Sequence, residues 1–264
     1  MSTLNRPAEP MHRDAALQST PKMARKVLLA CGILAAMLYA VAHDALAAIL
    51  YQNYSPFSQT ISELGSIGAP TRPAVTAVVL IHEALLIAFG IGIWQSGRGN
   101  RALRVTGALL IVYGAIGPLW LPFPITARGQ IATAGGLNDV MHVVLGVATI
   151  LLELSILGFG AAALGRWFRL YSILTSATVV VFWTWSFLYG PELAAGEPTP
   201  WLGVVERIAL GAWLLWLAVL AIALLGHPTP RRTSSERAAS RTRRVDNSPP
   251  ARSSSPGGSY TTWS

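Results

Sequence analysis

The chain has 264 residues, 52% of them hydrophobic and only 12% charged, with a formal net charge of +8 and a mean hydropathy of +0.47; that charged fraction is about half the average of soluble domains. Residues 1–26 carry five Lys/Arg against Glu9 and Asp14, residues 227–264 carry seven Arg against Glu236 and Asp246, and the 200 residues between hold eight basic and eight acidic groups. Two basic tails around a neutral, apolar body match a membrane protein and argue against a nucleic-acid partner, while a lone cysteine, Cys31, excludes an internal disulfide, a multi-cysteine metal site and a redox pair.

Residues 1–26 read as a disordered, basic N-terminal segment. Apolar runs able to cross about 30 Å of hydrocarbon, roughly 20 residues of helix, then follow at 27–50, 73–95, 102–122, 138–164, 170–190 and 203–226. The first run is long enough to span and starts well inside the chain, so it reads as a retained helix and not as a cleaved signal. Loop chemistry separates the runs: Gln52-Asn53-Tyr54-Ser55-Pro56, Gly97-Arg98-Gly99-Asn100-Arg101, Pro122-Phe123-Pro124, Gly165-Arg166-Trp167 and Pro191 to Pro200. Residues 227–264 are Pro, Arg, Ser and Thr with few large apolar side chains; they cannot bury enough surface to offset ordering entropy and read as a disordered tail. The expected fold is all-α: a polytopic integral membrane bundle of six transmembrane helices embedded in a lipid bilayer, with a homo-oligomer allowed.

Positive flanks are retained on the cytoplasmic side. With the N-terminus inside, the inside segments hold 17 Lys/Arg and the outside loops two, Arg72 and Arg128, with Arg207 at the start of the sixth span. Both termini are therefore expected in the cytoplasm and the protein in the plasma membrane. Tyr51, Tyr54, Trp120, Tyr189 and Trp201 then fall at the outer interface, and Trp94, Trp167 and Tyr171 at the inner one.

Ionisable groups inside hydrocarbon cost a few kcal/mol each on insertion scales, so their depth is informative. In this orientation His43 and Asp44 lie in the outer half of span one, Ser58 and Glu63 in the first outer loop, and His82 and Glu83 near the middle of span two. Asp139 and His142 open span four, and Glu206 and Arg207 open span six, where they read as an outer ion pair. On span four, Asp139, His142, Gly146, Thr149 and Glu153 share one stripe about 80° wide, which is expected to face the bundle interior or a wet cavity. Gly146, Gly158, Gly160 and Ala161 would let other helices approach closely. Plain structural uses stand beside these: an intramembrane His as an interhelical hydrogen-bond donor, Asp139 as a helix cap, Glu83 paired with His82 or Tyr113. Asn53-Tyr54-Ser55 matches a glycosylation acceptor but hugs the membrane, and the Gly90-x-Gly92 and Gly97-x-Gly99 pairs lack the strand and helix of a nucleotide site.

Three separated stretches carry a family resemblance: Tyr54-Ser-Pro-Phe-Ser-Gln-Thr-Ile-Ser-Glu-Leu-Gly-Ser-Ile-Gly-Ala-Pro-Thr-Arg-Pro73, Leu137-Asn-Asp-Val-Met-His142, and Pro198-Thr-Pro-Trp-Leu-Gly-Val-Val-Glu-Arg-Ile208. Together they resemble the bacterial and archaeal membrane family called domain of unknown function 998, over about residues 27–226. The resemblance implies a polytopic membrane protein and brings no biochemical activity. In Phe123-Pro-Ile-Thr-Ala-Arg-Gly129, Thr126 stands where members often carry His.

Four chemistries are open to the outer polar groups. Small-solute or proton-coupled transport would use Asp139, His142 and Glu153 as a proton relay. A membrane scaffold would use the same groups to hold the loops. A zinc-dependent intramembrane hydrolase acting on lipid would draw its metal ligands from His43, His82, His142 and Asp139 and its catalytic groups from Ser58, Glu63 and Asp139. A haem carrier would need His43 and His82 on facing helices.

Overall fold

The computed structural model describes residues 11–126 and 136–226. The chain divides into a unit covering Met1–His227 and a second covering Pro228–Ser264. That second unit lies outside the described residues, as do the first ten residues and Arg128, so the expected disorder of 227–264 falls there.

Among the described residues there are helices and no strands. They run in the order α1 (Met11–Leu50), α2 (Ile61–Leu64), α3 (Arg72–Ser96), α4 (Arg101–Ile116, continued by a 3-10 turn Gly117–Trp120), α5 (Leu137–Ala163), α6 (Arg166–Leu188), α7 (Gly190–Ala194) and α8 (Leu202–Gly226). Six of them are long and apolar enough to cross a membrane: Lys22–Leu50, Arg72–Ser96, Arg101–Trp120, Leu137–Ala163, Arg166–Leu188 and Leu202–Gly226. The protein is an integral membrane protein of six spans. α1 begins at Met11, ahead of the candidate span that starts at Lys22. Adding residues to an existing helix requires no new nucleus, and Ala15, Ala16, Leu17, Gln18, Met23, Ala24, Arg25 and Lys26 are good helix formers.

The long helices close into a ring. α1 packs on α3, α3 on α4, α4 on α5, α5 on α6, α6 on α8, and α8 returns to α1. Small residues set the closest approaches, as expected where lipid supplies no hydrophobic drive between helices. A Cβ on Gly90 of α3 would lie 2.8 Å from the Gly107 carbonyl oxygen of α4, and one on Gly107 would lie 2.7 Å from that of Gly90. Of the glycines expected to admit neighbours on α5, Gly160 receives Trp216, whose ring would sit 2.5 Å from an added Cβ, whereas Gly158 meets nothing. Outward faces, such as Val143, Val144, Val147 and Leu151 on α5 and Ile173, Leu174, Val180 and Val181 on α6, are apolar and exposed, as a lipid-facing surface must be.

Alternation of direction around the ring puts the loops of 51–71, 117–126 and 189–201 at one end, here the long-loop end, and the short turns at 97–100 and 164–165 at the other. The short-loop half is filled by an apolar core that includes Leu86, Phe89, Ile93, Leu110, Ile156 and Leu157, with Trp213 and Trp216 stacked at 5.7 Å. Near the short-loop end, the guanidiniums of Arg104 and Arg166 lie 4.6 and 4.9 Å from the ring centres of Trp94 and Trp167. The other half of the ring is not filled in this way.

Candidate functional site

The long-loop end is built from the first loop upward. Thr60 and Glu63 form a capping box: Thr60 Oγ1 accepts from Glu63 N at 3.0 Å, and Glu63 Oε2 accepts from Thr60 N at 2.8 Å. This fixes the single turn of α2, which satisfies otherwise orphaned donors within a loop. Glu206, buried at the start of α8, then takes hold of that turn from the side. Its Oε2 accepts from Ile61 N at 2.6 Å and its Oε1 from Ser62 Oγ at 3.0 Å.

The neighbouring Arg207 points elsewhere, and the expected Glu206–Arg207 pair is replaced by two separate connections. Adjacent helical residues project about 100° apart, so Arg207 reaches Asp44 of α1 at 2.6 Å. It also donates to Tyr54 Oη at 2.6 Å and to the carbonyl oxygens of Pro56, Gln59 and Gly203 at 2.9, 2.8 and 2.9 Å. Tyr54 Oη donates in turn to Asp44. Burial, together with this bond to Asp44, pushes the Tyr54 phenol above its ordinary range. Gly203 permits the docking: a Cβ there would lie 2.4 Å from the Pro56 carbonyl oxygen and 2.5 Å from that of Gln59.

Beneath this cap lies a cavity of about 150 Å³, to which all six long helices contribute. Ser62, Gly65 and Arg72 line its loop end, where Arg72 donates from Nη1 to Gly65 O at 3.1 Å and from Nη2 to Leu121 O at 3.2 Å. Glu83 of α3, Glu153 of α5 and Trp213 of α8 line its deeper part with Tyr39 and Tyr113. Tyr113 Oη donates to Glu153 Oε1 at 3.1 Å, so Tyr113 partners Glu153 and not Glu83. Glu83 lies against Gly117, where a Cβ would fall 2.1 Å from its carboxyl carbon; only a glycine leaves room for that carboxyl.

Five of the residues lining the cavity carry a buried polar atom without a well-formed hydrogen bond, namely His43 Nε2, Glu83 Oε2, Glu153 Oε2, Trp183 Nε1 and Trp213 Nε1, and of these the Trp183 indole lies beside the Glu153 carboxyl. Buried polar groups are ordinarily paired, and each one left unpaired costs about 1–3 kcal/mol. Their concentration around one space marks it as a place made for polar contents.

The three histidines line the same cavity but are individually anchored. Each meets a main-chain carbonyl through Nδ1: His43 with Tyr39 O at 3.0 Å, His82 with Ala35 O at 3.1 Å, His142 with Phe123 O at 2.9 Å. A carbonyl only accepts, so Nδ1 is the donor and Nε2 is left to face other groups. His43 and His82 flank Tyr39, with ring centres 4.1 and 4.5 Å away, whereas His142 sits against Trp120 at 4.7 Å. Asp139, one turn before His142, accepts from Thr126 N at 2.7 Å and Thr126 Oγ1 at 2.8 Å. Among the described residues no group of three or more His, Cys, Asp or Glu is placed to hold a metal ion. Ser58 and Glu63 lie outside the cavity lining. The α5 stripe does turn inward at His142, Thr149 and Glu153, but Asp139, at its loop end, serves the connection before it.

The sequence reading did not single out Tyr39, Ser62, Trp183 or Trp213. Their signal is position: Tyr39 and Trp213 fall near the middle of spans, away from the interfacial belts where aromatic side chains are otherwise favoured.

A family model described as "Protein of unknown function (DUF998)" matches residues 33–223. No curated protein and no solved structure matches the chain.

Proposed function

The chain belongs to the DUF998 family, and from that footing we propose that it is a small-solute transport protein whose solute occupies the cavity at the long-loop end. One observation carries the reading: five residues that line a single cavity within the ring of spans each carry a buried polar atom without a well-formed hydrogen bond. Intramembrane polar groups are costly and concentrate on substrate and ion pathways. A scaffold that needed them only to hold its loops would pair them, as Glu206 and Arg207 are paired.

The excess of Lys and Arg on the termini and the short turns supports an orientation with both termini in the cytoplasm and the long-loop end outside, in the plasma membrane. The first loop then covers the outer mouth. A zinc-dependent hydrolase receives less support, since among the described residues no group of three or more His, Cys, Asp or Glu is placed to hold a metal ion. A proton relay through Asp139, His142 and Glu153 would have to cross residues held by separate partners.

The test is a stability-shift screen of the detergent-purified protein against cationic, anionic and neutral small solutes, followed by uptake of any binder into proteoliposomes. Saturable binding with uptake above empty liposomes is expected. Failure of all three solute classes to bind would refute the reading, and stoichiometric zinc lost on His142→Ala would replace it with the hydrolase. Impermeant thiol labelling of Ser55→Cys in a Cys31→Ala background, on intact cells, checks the orientation: labelling is expected, and protection until lysis would reverse it.

A further inference from the structure

We propose that the cavity selects a small organic ammonium ion, an inference that rests on the solute-binding reading above. Three of the five atoms are acceptors: Glu83 Oε2, Glu153 Oε2 and His43 Nε2, whose ring donates through Nδ1. Two are indole donors, Trp213 and Trp183, the latter beside the Glu153 carboxyl. Each carboxylate oxygen accepts two hydrogen bonds while an indole donates one, so the wall carries a surplus of acceptors that only a ligand rich in N–H or O–H can meet.

Charge narrows the choice. Glu83 and Glu153 come from α3 and α5, the two helices that flank α4, and both are less than a tenth exposed. Arg72, the lining residue of fixed positive charge among those described, is at the loop end with both terminal nitrogens on carbonyl oxygens. The deeper wall therefore offers carboxyl groups without a basic side chain hydrogen-bonded to them.

Aromatic surface supplies the remaining contact. Tyr39, Tyr113 and Trp213 line the same depth, with Tyr113 and Trp213 ring centres 5.4 Å apart. A desolvated ammonium over such faces is attracted by the ring quadrupoles. Size fits as well: an engineered cavity of about 150 Å³ accepts benzene, so this space suits a ligand of roughly five or six heavy atoms. An anion would meet two carboxyl groups, and a purely apolar ligand would satisfy none of the five polar atoms.

The experiment compares tert-butylammonium chloride with tert-butanol, which has the same shape and no charge, on the full-length protein in detergent at neutral pH. Sodium and potassium chloride serve as ionic controls. The unfolding midpoint and the intrinsic tryptophan fluorescence are read, the latter because Trp183 and Trp213 face the site. The expected result is a saturable shift in both with tert-butylammonium and none with tert-butanol or the salts, with apparent affinity weakened at least about tenfold by Glu83→Gln and by Glu153→Gln. Equal binding of tert-butanol would overturn cation selectivity and leave solute binding standing. A shift produced by potassium or sodium that the amine does not compete would also overturn it, assigning the carboxyl groups to an inorganic ion. Absence of binding by every solute class would remove both proposals. Should the Gln variants fail to fold, the comparison of amine with alcohol on the unaltered chain still decides.

Discussion

Replacing Arg207 with Met keeps the apolar stem and deletes the five connections that Arg207 itself makes, while leaving those of Glu206 to Ile61 and Ser62, of Val204 N to Phe57 O and of Tyr54 to Asp44. The lost bonds comprise those to Asp44, Tyr54 and the carbonyls of Pro56, Gln59 and Gly203. Removing one partner from a buried ion pair costs about 3–5 kcal/mol. That range is too large here, because the Asp44 side chain is 38% exposed and water can take the place of the guanidinium. A cost of about 2–4 kcal/mol for loop docking follows, which is roughly a 30- to 700-fold increase in the opening equilibrium. Amide hydrogen exchange in detergent or nanodiscs measures it directly: residues 56–64 should exchange faster by that factor while the amides of α4 are unaffected. A second change, Asp44→Asn, should add under about 1 kcal/mol in the Met background, since the two residues act through one connection. Exchange of residues 56–64 within about threefold of wild type, corresponding to less than about 0.7 kcal/mol, would refute the reasoning. The loop would then be held by its capping box, by Glu206 and Val204 N of α8, and by apolar contacts.

Glu206→Gln retains an acceptor for Ile61 N and can donate to Ser62 Oγ, so it should cost about 1 kcal/mol, whereas Glu206→Ala strands a buried N–H and should cost about 2–3 kcal/mol; unfolding in a denaturing detergent ranks the two. Gly117→Ala forces the Glu83 carboxyl from its seat and should destabilise by about 1–3 kcal/mol while changing the tryptophan emission of the cavity. Ser172→Ala removes the acceptor for Trp216 Nε1 and should cost only about 0.6 kcal/mol, the usual size of a hydrogen bond between helices in a membrane. The raised Tyr54 phenol favours its neutral form in the folded state, so its contribution is complete below about pH 10 and is lost as pH rises beyond that. Phenolate absorbance of wild type and Tyr54→Phe, corrected for the missing residue, should therefore coincide up to about pH 10 and separate only above it.

The six spans were legible because an apolar run long enough to cross hydrocarbon has one stable backbone solution, and the runs at 73–95 and 203–226 fall within a residue of α3 and α8. The start of α1 at Met11, well before the first apolar run at 27–50, was not legible, because hydropathy marks the span and not the polar turns that precede it. The site was legible in part. Glu83, Glu153 and the histidines stand out as polar residues in apolar runs, and the 3.6-residue period turned His142 and Glu153 inward together. The pairing of Arg207 with Asp44, 163 positions apart, left no trace in spacing. It exists because α8 closes the ring against α1.

What the sequence determined by itself is the solvent: composition and run length require helices in lipid, and periodicity assigns each helix its inward face. Tertiary structure alone decided the partners. Ring closure brought Glu83 and Glu153 to one cavity and gave Glu153 but not Glu83 a tyrosine, and the connection before α5 brought Thr126 to Asp139. Periodicity fixes the angle at which a side chain leaves its own helix, and nothing local fixes which helix stands opposite.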